Sequence, residues 1–311
     1  MNRCPITYEA VPKAGDFSPA GLRCLHPQLR HLAPLPFDAA ALIQEAAARA
    51  PKMSIQGVQP KLSAVLRIKE GRIEIVDQGG RFILKPQNPQ YPNLPENEAL
   101  TMTLAQIAGL AMPDHGMLYA KDGSLVYWIR RFDRVGRDQR VAVEDFAQLS
   151  GATRESKYGA SVEDVIKIIK LRCTFPSIEL ADFYRRFLVN WLLGNEDMHL
   201  KNYSVITMEG VIKLAPCYDF LNTTIHLPTP QEESALPLNG KKRKLSSADL
   251  TDYLARQRLG LNDRTVARIM ADLRAAIPQW RELIKHSFLP ERLRDKYHGL
   301  MEKRSAALFG K

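Results

Sequence analysis

The chain has 311 residues, 45% of them hydrophobic and 25% charged, enough to bury a large core and to form two lobes. No apolar run is long enough to span a bilayer, and the opening MNRCPITYEA has no apolar stretch of the kind a secretory signal needs. Four scattered cysteines (Cys4, Cys24, Cys173, Cys217) with no C-x-x-C pair suggest neither a disulfide framework nor a zinc knuckle, so the expected setting is the reduced cytoplasm. The formal net charge of +10 suits an anionic partner such as nucleotide, RNA or DNA, and is most simply a soluble basic surface.

In chain order, residues 1–36 are rich in Pro, Gly and His and read as irregular. Asp38 caps an alanine-rich helix, AAALIQEAAARA, stopped by Pro51. The period then changes. KLSAVLRI, IEIVD and RFILKPQ alternate and carry β-branched residues, with Glu70-Gly71 and Gly79-Gly80 as hairpin turns. A helix from about Asn97 to Ala108 follows. MLYA and LVYWIRRF are two strands joined by the turn Lys121-Asp122-Gly123-Ser124. From about residue 140 helices dominate. SVEDVIKIIK opens with a capping box, Ser161 with Asp164. IELADFYRRFLVNWLLG sets Leu180, Phe183, Phe187, Leu188, Trp191 and Leu192 on one face and stops at Gly194. YSVITMEGVIKLAP is a hairpin with Glu209-Gly210 at its tip, and three further helices fill 247–309. The basic run Lys241–Lys244 reads as a solvated loop. The expected fold is α+β, a small β-rich lobe followed by a larger helical lobe.

Four stretches carry chemistry. Ser54-Ile55-Gln56-Gly57-Val58-Gln59-Pro60-Lys61 stands directly before a strand, where a glycine loop brings backbone N–H groups near phosphate oxygens; one glycine fits an ordinary turn as well. In FILK, Lys85 ends an apolar strand, the form of the kinase V-A-I-K signature, and Glu98 on the next helix can orient it; alone, FILK also fits a lysine snorkelling to water. In GNEDMHLKNYSV, Asp197 and Asn202 have the Asp-x4-Asn separation of the kinase catalytic loop. An Asp there accepts a hydrogen bond from a substrate hydroxyl, an Asn offers oxygen to magnesium, and Lys201 offsets phosphate charge. In CYDFL, Asp219-Phe220 resembles the magnesium-binding D-F-G element, and the intervening hairpin would return it to Asn202. The order of these pieces says more than any one of them.

Other readings of the same residues are weaker. Asp197 and His199 could be two ligands of a zinc or iron site, but no third His or Cys stands at ligand spacing, and His199 reads better as a side chain that holds the loop. Asp133, in RRFDR, could be a second acid and reads better as a partner of Arg131 or Arg134. Ser150-Gly151 has no G-x-S-x-G around it. Trp128 and Trp191 lie in apolar patterns and read as core.

Taken together, SIQGVQPKLSAVL, FILKP, ENEALTMTLA, IRRFDR, LLGNEDMHLKNYSV, LAPCYDF and LPLNGKKRKLSSADL resemble the HipA-like serine/threonine kinases over roughly residues 15–310. The start so near the kinase core is similar to the short HipT toxins, whose missing subdomain is a separate HipS protein encoded beside a DNA-binding HipB. The resemblance implies a two-lobed kinase-like fold: 1–50 as an N-terminal segment and helix packing on the N-lobe, 51–134 as the N-lobe, and 135–311 as the C-lobe. It implies ATP and Mg2+ as cofactors. Asp197 would be the proton acceptor, and Asn202 and Asp219 the metal ligands. Gln56, Gly57, Val58, Gln59, Pro60 and Lys61 would cover the phosphates, with Lys85 on the α/β-phosphates paired to Glu98. The backbone of Arg130, Arg131 and Phe132 would meet adenine. His199, Lys201 and Tyr218 complete the nucleotide side. Ser54 would be the autophosphorylated serine, although the second loop serine of HipT-like chains is here Gln56. H-R-D, A-P-E and a three-glycine loop, all present in true protein kinases, are absent.

The function so implied is a toxin kinase that phosphorylates an aminoacyl-tRNA synthetase, tryptophanyl favoured, and halts translation. Its partners would be a HipS-like antitoxin subunit and a HipB-like helix-turn-helix protein, with DNA reached only through the latter and no membrane. The alternative is a nucleotide-binding, pseudokinase-like regulator in a DNA-bound complex; direct nucleic-acid binding ranks last. Retention of Lys85, Asp197, Asn202 and Asp219 favours chemistry.

Overall fold

The computed structural model describes residues 2–49, 59–136, 139–151, 159–227, 229 and 232–310. The chain divides into two compact units. Met1–Leu100, Pro113–Phe132 and His286–Leu289 form the first, and Thr101–Met112, Asp133–Lys285 and Pro290–Lys311 the second. Among the described residues no helix is long and apolar enough to cross a membrane.

The first unit begins with a departure from the sequence expectation. Within the stretch read as irregular lies a helix, α1 (Pro19–Leu25), started by Ser18, whose hydroxyl accepts the Gly21 N–H, and by Pro19 in the first turn. Seven residues are too few to display a period. Cys4, Ile6, Leu22 and Leu25 from this stretch all enter the core. Helix α2 (Ala39–Arg49) starts as expected, with the Ala41 N–H donating to Asp38 Oδ1 at 2.8 Å; the expected stop at Pro51 lies outside the described residues.

The sheet of this unit has strands β1 (Leu62–Arg67), β2 (Arg72–Ile75), β3 (Phe82–Lys85), β4 (His115–Tyr119) and β5 (Leu125–Arg130), with helix α3 (Leu94–Ile107) between β3 and β4. Its order is β2-β1-β3-β5-β4, every neighbour antiparallel. The turns at Glu70-Gly71 and 121–124 join adjacent strands, as expected. Gly79-Gly80 does not: β3 pairs with β1, not β2, so the chain passes the end of β1. The glycine serves close approach instead, since a Cβ on Gly80 would lie 1.9 Å from Ser63 Oγ. Phe82 and Trp128 meet edge to face at 5.6 Å in the buried layer that anchors β3 to β5. That packing fixes where Lys85, the last residue of β3, emerges.

In the second unit a ribbon of β6 (Arg134–Val135) and β7 (Gln139–Arg140) precedes β8 (Ala142–Asp145) and helix α4 (Phe146–Ser150). Helix α5 (Val162–Arg172) carries the expected capping box in both directions. Helix α6 (Pro176–Leu193) buries all six residues expected on its inner face and ends at Gly194 in the left-handed region, φ +80°. A Cβ there would lie 2.6 Å from Asn222 Oδ1 and 2.5 Å from Leu300, so conformation and space both require glycine. Strands β9 (Ser204–Met208) and β10 (Val211–Leu214) form the expected hairpin, with positive φ at both tip residues, Glu209 and Gly210, as a primed turn needs. β8 adds a third strand beside β9 that the short, half-exposed AVED did not signal. The three helices expected after 247 are present as a π-helix (Asp249–Arg258), α7 (Asp263–Lys285) and α8 (Glu291–Phe309). From Thr101 onward α3 belongs to this unit, through Thr101 Oγ1 to Tyr297 OH at 3.0 Å and Trp280 Nε1 donating to the Leu104 carbonyl at 2.8 Å.

Candidate active site

The first unit places Lys85 in an unusual setting. Its side chain is 8% exposed, and Nζ lies 2.6 Å from Oε1 of Glu98, itself 2% exposed. The lysine therefore does not snorkel to water. It leaves the strand opposite Tyr127, whose ring centroid is 5.6 Å from Nζ. A buried cation and carboxylate recover their lost hydration only if they meet with good geometry, which ties the end of β3 to α3.

Gln59, Pro60 and Lys61 are half-buried before β1, while Ser54, Gln56, Gly57 and Val58 lie outside the described residues. The Arg130 guanidinium donates to Asp114 and to the carbonyls of Cys24 and Leu25, and lies over the Phe82 ring. Its side chain thus pins α1 to the sheet. The Arg130 N–H donates to the Asp114 carbonyl and the Arg131 N–H to the Arg81 carbonyl, both at 2.8 Å. Phe132, half-buried, closes the unit's second segment.

In the second unit the loop after Gly194 is held almost residue by residue. Asn195 is buried; its Nδ2 donates to Asn190 Oδ1 at 2.8 Å and reaches the Asp219 carbonyl at 3.4 Å, and its Oδ1 accepts the Asp197 N–H at 3.2 Å. The Glu196 N–H donates to Thr223 Oγ1, and the Thr224 hydroxyl donates to the Glu196 carboxylate at 2.5 Å. Burial pushes the Glu196 carboxyl up, against the Thr224 hydrogen bond and Arg304, 3.8 Å away.

Asp197 itself is exposed, and its carbonyl accepts from the His199 N–H at 2.9 Å and from Asn202 Nδ2 at 3.0 Å. That last bond orients the Asn202 amide, leaving Oδ1 as the arm it does not use. Buried His199 starts the 3-10 turn Leu200–Asn202, with the Asn202 N–H on its carbonyl, and Lys201 sits half-buried within it. The Tyr218 hydroxyl meets Ser204 Oγ at 2.5 Å and donates to the Lys201 carbonyl at 3.0 Å, so this phenol staples the segment before Asp219 to the loop; burial pushes its pKa up. Asp219 takes φ +56°, a conformation costly for most residues and eased for Asp.

Asp197, Asn202 and Asp219 are therefore joined within one hydrogen-bonded cluster, and Lys85 and Glu98 within another. Asn202 Oδ1 and the Asp219 carboxylate are hard oxygen donors of the kind magnesium takes alongside phosphates. Among the described residues no group of three or more His, Cys, Asp or Glu could hold a metal without such help. Asp133 pairs with Arg134 at 2.6 Å, one of the two partners expected. Asn195, Glu196, Thr223 and Thr224, which fix the loop, were not singled out from sequence. The loop's crowding of polar residues was visible, but their partners come from residues 27 and 28 positions away.

Residues 53–281 match the HipA-like C-terminal domain. A Haemophilus influenzae protein with a provisional kinase name is 32% identical over 72% of this chain and 69% of its own length. A Sinorhizobium fredii protein with a similar name is 33% identical over 76% and 59%. The serine/threonine-protein kinase toxin HipA of Shewanella oneidensis is 27% identical over 57% of this chain, which spans only 44% of it. Among solved structures, Shewanella oneidensis HipA, determined with HipB and operator DNA, superposes with TM-score 0.69 at 21% identity, covering 90% of this chain and 74% of that one. The Helicobacter pylori proinflammatory kinase CtkA gives 0.59 at 18%, over 83% and 91%. The fold is the α+β, kinase-like fold of these proteins, and the chain belongs to the HipA-like C-terminal domain family.

Proposed function

We propose that the chain is an ATP- and Mg2+-dependent serine/threonine protein kinase acting as the toxin of a toxin–antitoxin pair. The observation that supports this best is the buried Lys85–Glu98 pair, with Nζ and Oε1 2.6 Å apart. An apolar pair would be the cheaper way to fill that space, so a buried ion pair is best accounted for by a charge the lysine must hold ready.

In this reading residues 51–134 and 135–311 act as lobes, with 1–50 packed on the first. Glu98 orients Lys85 toward the α/β-phosphates, residues 56–61 cover them, and the backbone of Arg130 to Phe132 meets adenine. Asp197 accepts the proton of the target hydroxyl as its oxygen attacks the γ-phosphorus; the bond to the β,γ-bridging oxygen breaks and ADP leaves. Lys201 offsets charge on the phosphates, while His199 and Tyr218 keep the loop in shape. Asn202 and Asp219 would hold magnesium, which would supply charge neutralisation on the phosphates. A phosphate on Ser54 would bring nearly two negative charges into that site and switch the enzyme off. A Ser54→Asp protein that bound ATP normally and stayed toxic would contradict this.

The target in this reading is an aminoacyl-tRNA synthetase, tryptophanyl favoured. The partners are a HipS-like subunit and a HipB-like protein that alone touches DNA; the Shewanella HipA structure, solved with HipB and operator DNA, supports the second. The test is incubation with γ-labelled ATP and magnesium. Label should appear on the chain and vanish in Asp197→Asn. Tight ATP binding with no transfer would overturn the kinase reading in favour of a nucleotide-binding regulator.

A further inference from the structure

Two residues before Glu98 on the same helix stands a second buried carboxyl that the proposed chemistry does not use. Glu96, in the first turn of α3, is 6% exposed. It is gripped by amides: Gln87 Nε2 lies 3.0 Å from both Oε1 and Oε2, and Asn93 Nδ2 lies 3.3 Å from Oε1. Gln87 also donates to the Leu125 carbonyl at 3.0 Å, and its Oε1 accepts the Asn93 N–H at 3.2 Å. Four parts of the first unit therefore meet at one point: the segment after β3, the turn before α3, α3 itself and the start of β5.

The placement is specific. Gln87 lies two residues after Lys85, across Pro86, and Glu96 lies two residues before Glu98. Helical residues two apart project about 200° from each other, so Glu96 and Glu98 leave α3 on nearly opposite sides. With Glu96 held, α3 can neither rotate about its axis nor slide along β3, and those are the motions that would carry Glu98 away from Lys85. Apolar side chains of similar size would fill the same volume without fixing that rotation; directional hydrogen bonds fix it.

We propose that Gln87, Glu96 and Asn93 form a brace that holds Glu98 against Lys85, which makes Glu96 and Gln87 positioning residues for nucleotide binding. The link to nucleotide rests on the kinase reading; the brace itself does not.

The test uses Glu96→Gln, Gln87→Glu and the reciprocal swap of both in the full chain. Glu96→Gln turns one acceptor oxygen into a donor that meets the Gln87 or Asn93 amide, and Gln87→Glu sets carboxylate against carboxylate; the swap restores an amide facing a carboxylate and leaves only the Leu125 carbonyl without its donor. Two readouts are needed: KM for ATP against kcat, and the rate at which N-hydroxysuccinimidyl acetate acylates Lys85, followed by peptide mass spectrometry. Each single variant should raise KM about tenfold with kcat within about twofold, as one mispaired buried polar group predicts. Lys85 should be acylated several-fold faster, and the swap should recover part of both effects relative to Gln87→Glu, which lacks the same Leu125 contact. Should Glu96→Gln not fold, Asn93→Gly carries the same readouts at smaller size. It removes one donor while suiting the positive φ of 66° at that position.

Equal acylation of Lys85 in all variants, or a swap no better than Gln87→Glu, would overturn the brace. Unchanged ATP binding in Lys85→Met would instead remove the nucleotide role of Lys85, with the acylation rates still deciding the brace.

Discussion

Lys85 Nζ and Glu98 Oε1 stand 2.6 Å apart with both side chains buried, so removing either charge alone takes a close opposite charge from the other. Glu98→Gln is expected to cost about 3–5 kcal/mol of stability, and Lys85→Met with Glu98→Leu together less than that single change. Thermal unfolding checks both. Saturating Mg2+–ATP should raise the Tm of Glu98→Gln by less than that of wild type, since Lys85 is no longer oriented toward the phosphates.

Asp197 is exposed, and its backbone N–H and carbonyl are both hydrogen-bonded within the loop. Asp197→Asn should therefore unfold at the wild-type temperature within about a degree. Loss of the proton acceptor should lower phosphoryl transfer about 10²–10⁴-fold. A parallel loss of stability would mean that the carboxylate supports the loop rather than the chemistry.

The Thr224 hydroxyl serves both the Glu196 carboxylate and the Gly194 carbonyl. Thr224→Val keeps the shape and deletes that donor; the Gly194 carbonyl keeps the Thr223 hydroxyl and the Thr224 N–H, while the Glu196 carboxylate loses its hydrogen bond. The expected cost is about 1–3 kcal/mol in denaturant unfolding, together with a lower kcat as Asp197, the next residue, loses its fixed position.

Asp249 gives a pH prediction. Burial pushes its carboxyl up, but hydrogen bonds from Lys241 and Ser246 outweigh that and lower it from 3.8 to about 2. A carboxyl depressed in the folded state stabilises above its unfolded pKa and loses that contribution as pH falls through the folded one. Between about pH 4 and 2 wild type should lose up to about 2 kcal/mol that Asp249→Asn does not lose over the same range. Titration of unfolding free energy in both proteins is the measurement. Lys241, expected only as part of a solvated basic run, is thus one anchor of a turn with positive φ at Asn239 and Gly240, while Arg243 and Lys244 remain exposed.

Much of this architecture was readable because its signals are local. The Ser161–Asp164 box, the Asp38 cap, the stop at Gly194 and the Glu209-Gly210 hairpin each follow from a few adjacent residues, and each stands where expected. Lys85 was readable as a strand end, but its burial was not, because the partner that permits burial lies on another element. The crossing at Gly79-Gly80 was misread for the converse reason. A glycine pair signals a tight turn, and only the pairing of β3 with β1 shows that the space beside Ser63 is what demands it. α1 and β8 escaped because seven and four residues carry no usable period and their stability comes from what they pack on. The Gln87–Glu96 contact is polar, buried and nine residues apart, with no motif to mark it.

The central claim is that Lys85 and the Asp197–Asn202–Asp219 cluster serve one nucleotide. Calorimetric titration of Mg2+–ATP into wild type, Lys85→Met, Asp219→Asn and the double variant measures this directly. The account predicts at least about tenfold weaker binding in each single variant, and a double variant whose loss is smaller than the sum because both singles disable the same ligand. Wild-type affinity in either single variant would contradict it.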